Sequence, residues 1–144
     1  MPDKNQGDAP LRPDTFEAAR LTVRLAAIAA NYRTIQRLAA PAAAAGVVKA
    51  DGYGTGAEAA TRTLAEAGCD TFFVARAEEG IRIRPLAPQA RIFVLDGAQV
   101  DSIAALITHN LTPVLNSLVE VAAWSAAAGA SHTAYDCAIA IQCA

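Results

Sequence analysis

The sequence predicts an α/β protein built on a covered parallel sheet. Short apolar runs recur roughly every 20 to 25 residues with helix-like stretches between them, a pattern typical of repeated βαβ units. The runs are apolar on both faces, as in strands that are covered on both sides. Periodicity leaves two arrangements open, a doubly wound open sheet and part of a closed barrel. A complete (β/α)8 barrel takes about 250 residues, and this chain has 144.

The beginning of the chain predicts an arm, a strand and a helix. Residues 1–16 are rich in proline and polar side chains, which predicts a flexible N-terminal arm. Residues 20–25, RLTVRL, alternate apolar and polar side chains and predict a half-exposed strand. Residues 26–40 carry apolar side chains at helical spacing, and Pro41 ends the predicted helix.

From residue 46 onward, predicted strands and helices alternate. The predicted strands are GVVKA (46–50), TFFVA (71–75), RIFVL (91–95) and TPVL (112–115). The predicted helices are AEAATRTLAEAG closing on Gly68 (57–68), AEEGIRIR (77–84), VDSIAALIT (100–108) and SLVEVAAWSAAAG closing on Gly129 (117–129). A last apolar segment, CAIAIQCA, occupies residues 137–144.

Composition excludes several classes of function. The chain is 53% hydrophobic, enough for a core, and its net charge is −2 with scattered cations, so we expect no nucleic-acid partner. The uncharged stretches contain proline, glycine, histidine or asparagine, so we expect no membrane span. The N-terminus lacks an apolar signal segment, which favours the cytoplasm. The three cysteines, Cys69, Cys137 and Cys143, form no CxxC pair, so no metal site is predicted.

Lys49 stands at the end of the apolar run GVVKA. On a strand, Val47 and Lys49 share a face, where the lysine has apolar neighbours. Burial favours a neutral amine, which is a nucleophile toward an aldehyde and could bind pyridoxal phosphate covalently. The alternative is that Lys49 reaches the surface and keeps its charged head in water.

Three glycines, Gly52, Gly54 and Gly56, follow Lys49. They allow a turn whose backbone approaches a ligand, and the next helix begins near Ala57, where an anion such as phosphate is favoured. The pattern also fits G-x-G-x-x-A over residues 52–57, although three residues separate the strand from the first glycine, unlike a dinucleotide-binding turn. A dinucleotide turn, another phosphate turn and an ordinary loop all stay open.

The segment VVKADGYGTGA, residues 47–57, resembles the cofactor-lysine motif of bacterial alanine racemases. The resemblance extends to RLTVRLAAIAANYRTIQRLA before it and to TFFVARAEEGIRIR and ARIFVLDGA after it, and covers roughly residues 15–128. It implies that residues 17–144 form roughly the first half of a TIM-type (β/α)8 barrel domain, with an atypical tail from about residue 130.

The resemblance also implies site residues and chemistry. Lys49 would hold pyridoxal phosphate covalently and act as one of two bases, and Tyr53 would donate a hydrogen bond to the cofactor phosphate. The function implied is that of an isomerase interconverting L- and D-alanine for the cell wall. The family is homodimeric, and its second base is a tyrosine of the partner's C-terminal domain, which this sequence lacks.

We therefore expect an inactive or weakly active form, truncated or altered in reading frame near residue 130. A small nucleotide-binding domain that uses the glycine turn and a non-catalytic fragment are the alternatives. Elsewhere, Glu78 and Glu79 are predicted on the outer face of a helix and Trp124 in the core.

Overall fold

The computed structural model describes residues 21–141, so the predicted arm at residues 1–16 lies outside the described residues. Five parallel strands form one sheet. The strands are β1 (Gly46–Val47), β2 (Thr71–Val74), β3 (Arg91–Val94), β4 (Thr112–Leu115) and β5 (Ala138–Ile139). The helices are α1 (Leu25–Ala39), α3 (Ala57–Glu66), α4 (Ala77–Ile83), α5 (Ile103–Thr108) and α6 (Leu118–Ser131). The segment α2 (Lys49–Tyr53) is a short turn with left-handed residues inside it, and Arg84–Leu86 form a 3₁₀ turn.

Strand order decides between the two predicted arrangements. The strands lie side by side in the order of the chain, from β1 to β5, and every neighbouring pair is parallel. A doubly wound sheet reverses its strand order at a switch point, whereas a (β/α)8 barrel does not. The prediction of a partial barrel is therefore confirmed.

One face of the sheet packs against the helices and carries the core. Alternate strand residues point to this face, because side chains alternate along a strand. Phe72 pairs with Ile92 and Val74 with Val94 in the register of β2 and β3, and all four are almost fully buried. Trp124 of α6 belongs to the same core, as predicted.

The opposite face is more open. Phe73 and Phe93 lie on it at paired positions, and their rings stack with centroids 4.9 Å apart. Both are half-buried, and Val47 in β1 is 45% exposed. The apolar character of both faces, read from the sequence, is therefore correct, but only the helix side is closed within residues 21–141.

The predicted strand at residues 20–25 and the predicted end of the last helix differ from the structure. Residues 21–24 of the predicted strand 20–25 have no regular structure, and α1 begins at Leu25. An alternating pattern forms a strand only beside a hydrogen-bonding neighbour, and this segment pairs with none of the described strands. The last helix continues past Gly129 to Ser131 and ends where His132 adopts a left-handed conformation.

The predicted cap at Gly68 is confirmed. Its φ is +94°, a value that favours glycine, and the Cys69 N–H donates to the Leu64 carbonyl at 2.9 Å, which closes a Schellman motif after α3. Across residues 21–141, no helix combines the length and apolar character that crossing a bilayer requires.

Candidate functional site

Lys49 lies just beyond the carboxyl end of β1. The Val48 N–H still donates to the Phe73 carbonyl at 2.9 Å, but Val48 has a ψ of 17° and leaves the extended conformation. Lys49 therefore begins α2 and is not a strand residue, and the prediction that it continues the strand face of Val47 is wrong. Its side chain is half-buried.

The residues after Lys49 form a left-handed turn. Ala50, Asp51 and Tyr53 have φ values of +51°, +53° and +56°, and Gly52 and Gly54 complete the turn at +62° and +81°. A left-handed helical conformation costs a non-glycine residue roughly 1–2 kcal/mol. Such strain persists only where the surrounding contacts hold it.

The first contact that holds this turn comes from Asp51. Its carboxylate accepts the Ala57 N–H at 3.0 Å, the first amide of α3. The helix N-terminus that the sequence offered as a phosphate site is thus bonded to a carboxylate of the same chain. Glycine is favoured at position 52 because its φ is positive and because a Cβ would lie only 3.0 Å from the Thr55 hydroxyl.

The second contact comes from Glu79 in α4. Its carboxylate accepts N–H groups from Ala50 at 2.8 Å, Ala75 at 2.7 Å and Arg76 at 3.2 Å. Glu79 is half-buried, so its predicted place on the outer face of the helix is wrong. Sequence reasoning missed this residue. The available signal was its position three residues after the N-cap, where glutamate caps a helix, but Arg76 stands where such a motif has serine or threonine.

Tyr53 belongs to the same turn as Lys49 and is 64% exposed. The structure therefore brings both predicted site residues to the carboxyl edge of the parallel sheet, where ligands of α/β proteins bind.

The next turns along this edge are tied in a similar way. The Asn116 side chain, after β4, donates to the Leu95 carbonyl, after β3, at 2.9 Å. The Glu120 carboxylate accepts the Asn116 N–H at 2.8 Å and lies so close to Gly97 that a Cβ there would collide with it.

A cleft of about 550 Å³ opens beside these turns, between α4 and α5. Arg76, Asp96 and Asp101 contribute charged groups of both signs to its wall. Lys49 and Tyr53 do not line it, so the cleft and the lysine turn are separate features of this edge.

Comparison with known proteins identifies the family of this fold. The family model for the alanine racemase N-terminal domain matches residues 23–144. A catabolic alanine racemase of Rhizobium johnstonii is 50% identical over 109 residues, which are 75% of this chain and 29% of that protein. An alanine racemase of a Methylobacterium species is 47% identical over 108 residues, 75% of this chain and 30% of that protein.

Comparison with solved structures identifies the same family. The alanine racemase of Bartonella henselae, whose structure holds covalently bound pyridoxal phosphate, superposes with a TM-score of 0.75 at 32% identity, over 78% of this chain and 32% of that one. The biosynthetic alanine racemase of Pseudomonas aeruginosa superposes with a TM-score of 0.67 at 35% identity, over 72% of this chain and 29% of that one. The chain thus spans less than a third of the length of the curated relatives it matches.

Proposed function

The chain belongs to the alanine racemase family, and from this premise we propose that it supplies the cofactor-lysine part of a pyridoxal-phosphate-dependent alanine racemase. The reaction proposed for the whole enzyme is the interconversion of L- and D-alanine. Residues 17–144 are the proposed extent of the barrel part, with the tail from about residue 130 departing from the family pattern.

The observation that carries the proposal is the placement of Lys49. It stands half-buried at the carboxyl edge of the sheet, immediately after β1. Among residues 21–141 its ammonium group has no carboxylate partner, and the ion pair found in that range joins Arg76 to Glu78. A lysine whose neighbours Val48 and Ala50 are hydrogen-bonded, and whose amine is unpaired among those residues, fits covalent attachment of an aldehyde cofactor.

Racemisation defines what this lysine does. When bound, pyridoxal phosphate supplies the electron sink that lets the α-proton of an amino acid leave. The Lys49 Nζ is proposed to hold the cofactor and to take or return the proton at one face of the substrate Cα. Inversion needs a second acid/base group on the opposite face. We expect that group from the partner subunit's C-terminal domain, as the family resemblance implies.

Tyr53 is the proposed phosphate ligand. Tyr53 ends the segment that begins at Lys49 and is 64% exposed, so its hydroxyl is accessible to a phosphate group. A phenolic O–H donating to a charged phosphate oxygen is a charge-assisted hydrogen bond, stronger than a neutral one.

No observation favours the nucleotide-binding alternative. Asp51 occupies the Ala57 N–H to which a phosphate would bind, and a left-handed turn separates β1 from α3, whereas in the dinucleotide fold the strand runs straight into the glycine turn. We further propose a homodimeric assembly in the cytoplasm that supplies D-alanine and binds no nucleic acid.

Covalent trapping tests the assignment. The chain has two lysines, Lys4 and Lys49, so Lys4 is an internal reference. The full chain is incubated with pyridoxal 5′-phosphate, reduced with borohydride and digested, and the label is located by mass spectrometry. We expect selective labelling of Lys49 and its loss in Lys49→Ala. Equal labelling of both lysines in the folded chain would refute the proposal.

A further inference from the structure

We propose that Glu79 is a positioning residue for Lys49, because it fixes the peptide unit that follows the lysine. This inference rests on the proposed function, in which Lys49 holds the cofactor. One carboxylate oxygen, Oε1, accepts the Ala50 N–H, and the other, Oε2, accepts the Ala75 and Arg76 N–H groups. The residue therefore joins the turn after β1 to the turn after β2.

Without the hydrogen bond to Glu79, we expect the turn after β1 to change conformation. Ala50 is the first of three non-glycine residues held at positive φ, a conformation that such residues leave when their contacts are removed. Glu79 accepts the Ala50 N–H, and this nitrogen forms the peptide bond with the Lys49 carbonyl carbon. A rotation of that peptide unit changes the direction in which the Lys49 side chain extends from the backbone.

Glu79 supplies the support from outside the segment. Within residues 48–57, the other side-chain hydrogen bonds are local: Asp51 bonds to Ala57, and the Thr55 hydroxyl bonds to the Gly52 carbonyl. These bonds close the turn on itself but do not orient it against the sheet. Among the described residues, Glu79 makes the side-chain hydrogen bonds that connect the turn to a neighbouring strand–helix unit.

Three variants separate positioning from folding. Glu79→Gln keeps the size of the side chain but exchanges one acceptor oxygen for a donor, so it cannot serve both turns. Glu79→Asp keeps the charge and can cap its own helix, but its shorter reach loses Ala50. Glu78→Gln is the matched control, since it changes the same charge on the same helix at an exposed site that does not bond to the turn.

The first readout is amide hydrogen exchange in the full chain without cofactor. We expect exchange across residues 50–56 to rise about tenfold in Glu79→Gln and Glu79→Asp, as the loss of one charge-assisted hydrogen bond implies. Strands β2 and β3 should keep wild-type protection, which shows that the fold is intact. Glu78→Gln should match the wild type throughout.

The second readout is the ratio of Lys49 to Lys4 labelling by pyridoxal 5′-phosphate and borohydride. We expect this ratio to fall about tenfold in both Glu79 variants and to stay unchanged in Glu78→Gln. Unchanged exchange in the turn overturns the positioning role, and so does faster exchange with an unchanged labelling ratio. A wild-type chain that shows no preference for Lys49 refutes the proposed function instead, and hydrogen exchange alone then decides whether Glu79 holds the turn.

Discussion

At the carboxyl edge of the sheet, Asp51, Glu79 and Glu120 accept hydrogen bonds from backbone N–H groups, whereas at the amino edge Arg84 and Tyr32 donate to backbone carbonyls. The difference follows from the repeated strand–helix order. Helices begin at the carboxyl edge with free N–H groups and end at the amino edge with free carbonyls. Acceptors are therefore needed at one edge and donors at the other.

The two edges also differ in whether their polar side chains are engaged in hydrogen bonds with the backbone. The Arg84 guanidinium donates to five backbone carbonyls, and burial lowers the pKa of this group. At the carboxyl edge the carboxylates hold backbone turns, and Lys49 and Tyr53 remain free of such bonds within residues 21–141. The bonds at the amino edge thus stabilise the fold, while the carboxyl edge leaves Lys49 and Tyr53 available for the proposed site.

The largest effect on stability is expected from Arg84→Met. The change removes the Arg84 donor from the carbonyls of Ala90, His109 and Asn110, among others. Charge-assisted hydrogen bonds are worth about 1.5–3 kcal/mol each and are not additive, so we expect a loss of roughly 3 kcal/mol in the free energy of unfolding. Urea denaturation measures it.

Arg82→Met is the matched control, because Arg82 lies in the last turn of α4, two residues before Arg84, and is exposed. It should change stability by less than about 0.5 kcal/mol. Equal losses in the two variants would show that the carbonyl cluster does not stabilise the amino edge.

A smaller loss is expected from Gly97→Ala at the carboxyl edge. Gly97 and Gly54 share a φ of +81°, but a Cβ on Gly97 meets the Glu120 carboxylate while a Cβ on Gly54 meets nothing within 4 Å. Both substitutions incur backbone strain of about 1 kcal/mol, and Gly97→Ala should cost about 1 kcal/mol more, because the Glu120 carboxylate must move aside and its hydrogen bond to the Asn116 N–H is weakened. The unfolding free energies of the two variants, compared directly, isolate the contact with Glu120; equal values would contradict it.

Removing the cap of α3 should have a smaller effect. Asp51→Ala removes the acceptor of the Ala57 N–H, and caps of this kind contribute about 1 kcal/mol. Glu58→Ala, at an exposed first-turn position of the same helix, serves as the control. A stability of Asp51→Ala equal to that of the control would mean that the carboxylate does not hold the turn.

The smallest effect concerns pH. Burial raises the pKa of Tyr32 to about 12, from 10.0, with smaller contributions from the neighbouring Cys69 and Asp70. The Tyr32 hydroxyl donates to the Ala44 and Gly68 carbonyls at 3.3 and 3.4 Å. A raised pKa means that the folded state retains the proton more tightly. The stabilisation is complete below about pH 10 and is lost as the pH rises toward 12.

Tyr32→Phe should lower the free energy of unfolding by about 0.5–1 kcal/mol near neutral pH and lose this alkaline decline. Urea midpoints at about pH 8 and pH 11 measure the decline, referenced to the unfolded pKa of about 10. An equal alkaline decline in both proteins would assign the effect to another group.

The sequence correctly predicts strands and a helix cap that depend on local residue patterns. The strands containing Phe72, Ile92 and Leu115 and the cap at Gly68 follow from runs of apolar side chains and from glycine chemistry, and the structure contains them. Lys49 and Tyr53 reach the carboxyl edge because the glycine turn follows a strand.

Hydrogen bonds between residues far apart in the chain could not be predicted from local patterns. Glu79 bonds to Ala50, 29 residues away, and Arg84 to Asn110, 26 residues away. No local pattern marks such partners, since they meet only when neighbouring βα units pack side by side. The predicted strand at residues 20–25 was wrong for a related reason, because an alternating pattern does not reveal whether a pairing neighbour exists.

The most direct test of the account compares the folded chain with the same chain unfolded in urea. Both are titrated with pyridoxal 5′-phosphate and reduced with borohydride, and the labelled fractions of Lys4 and Lys49 are measured. We predict that Lys49 is labelled at least about tenfold more readily than Lys4 in the folded chain and that the two are equal in urea, because the fold places the lysine. The same ratio in both states would contradict the claim that the carboxyl edge forms the cofactor site.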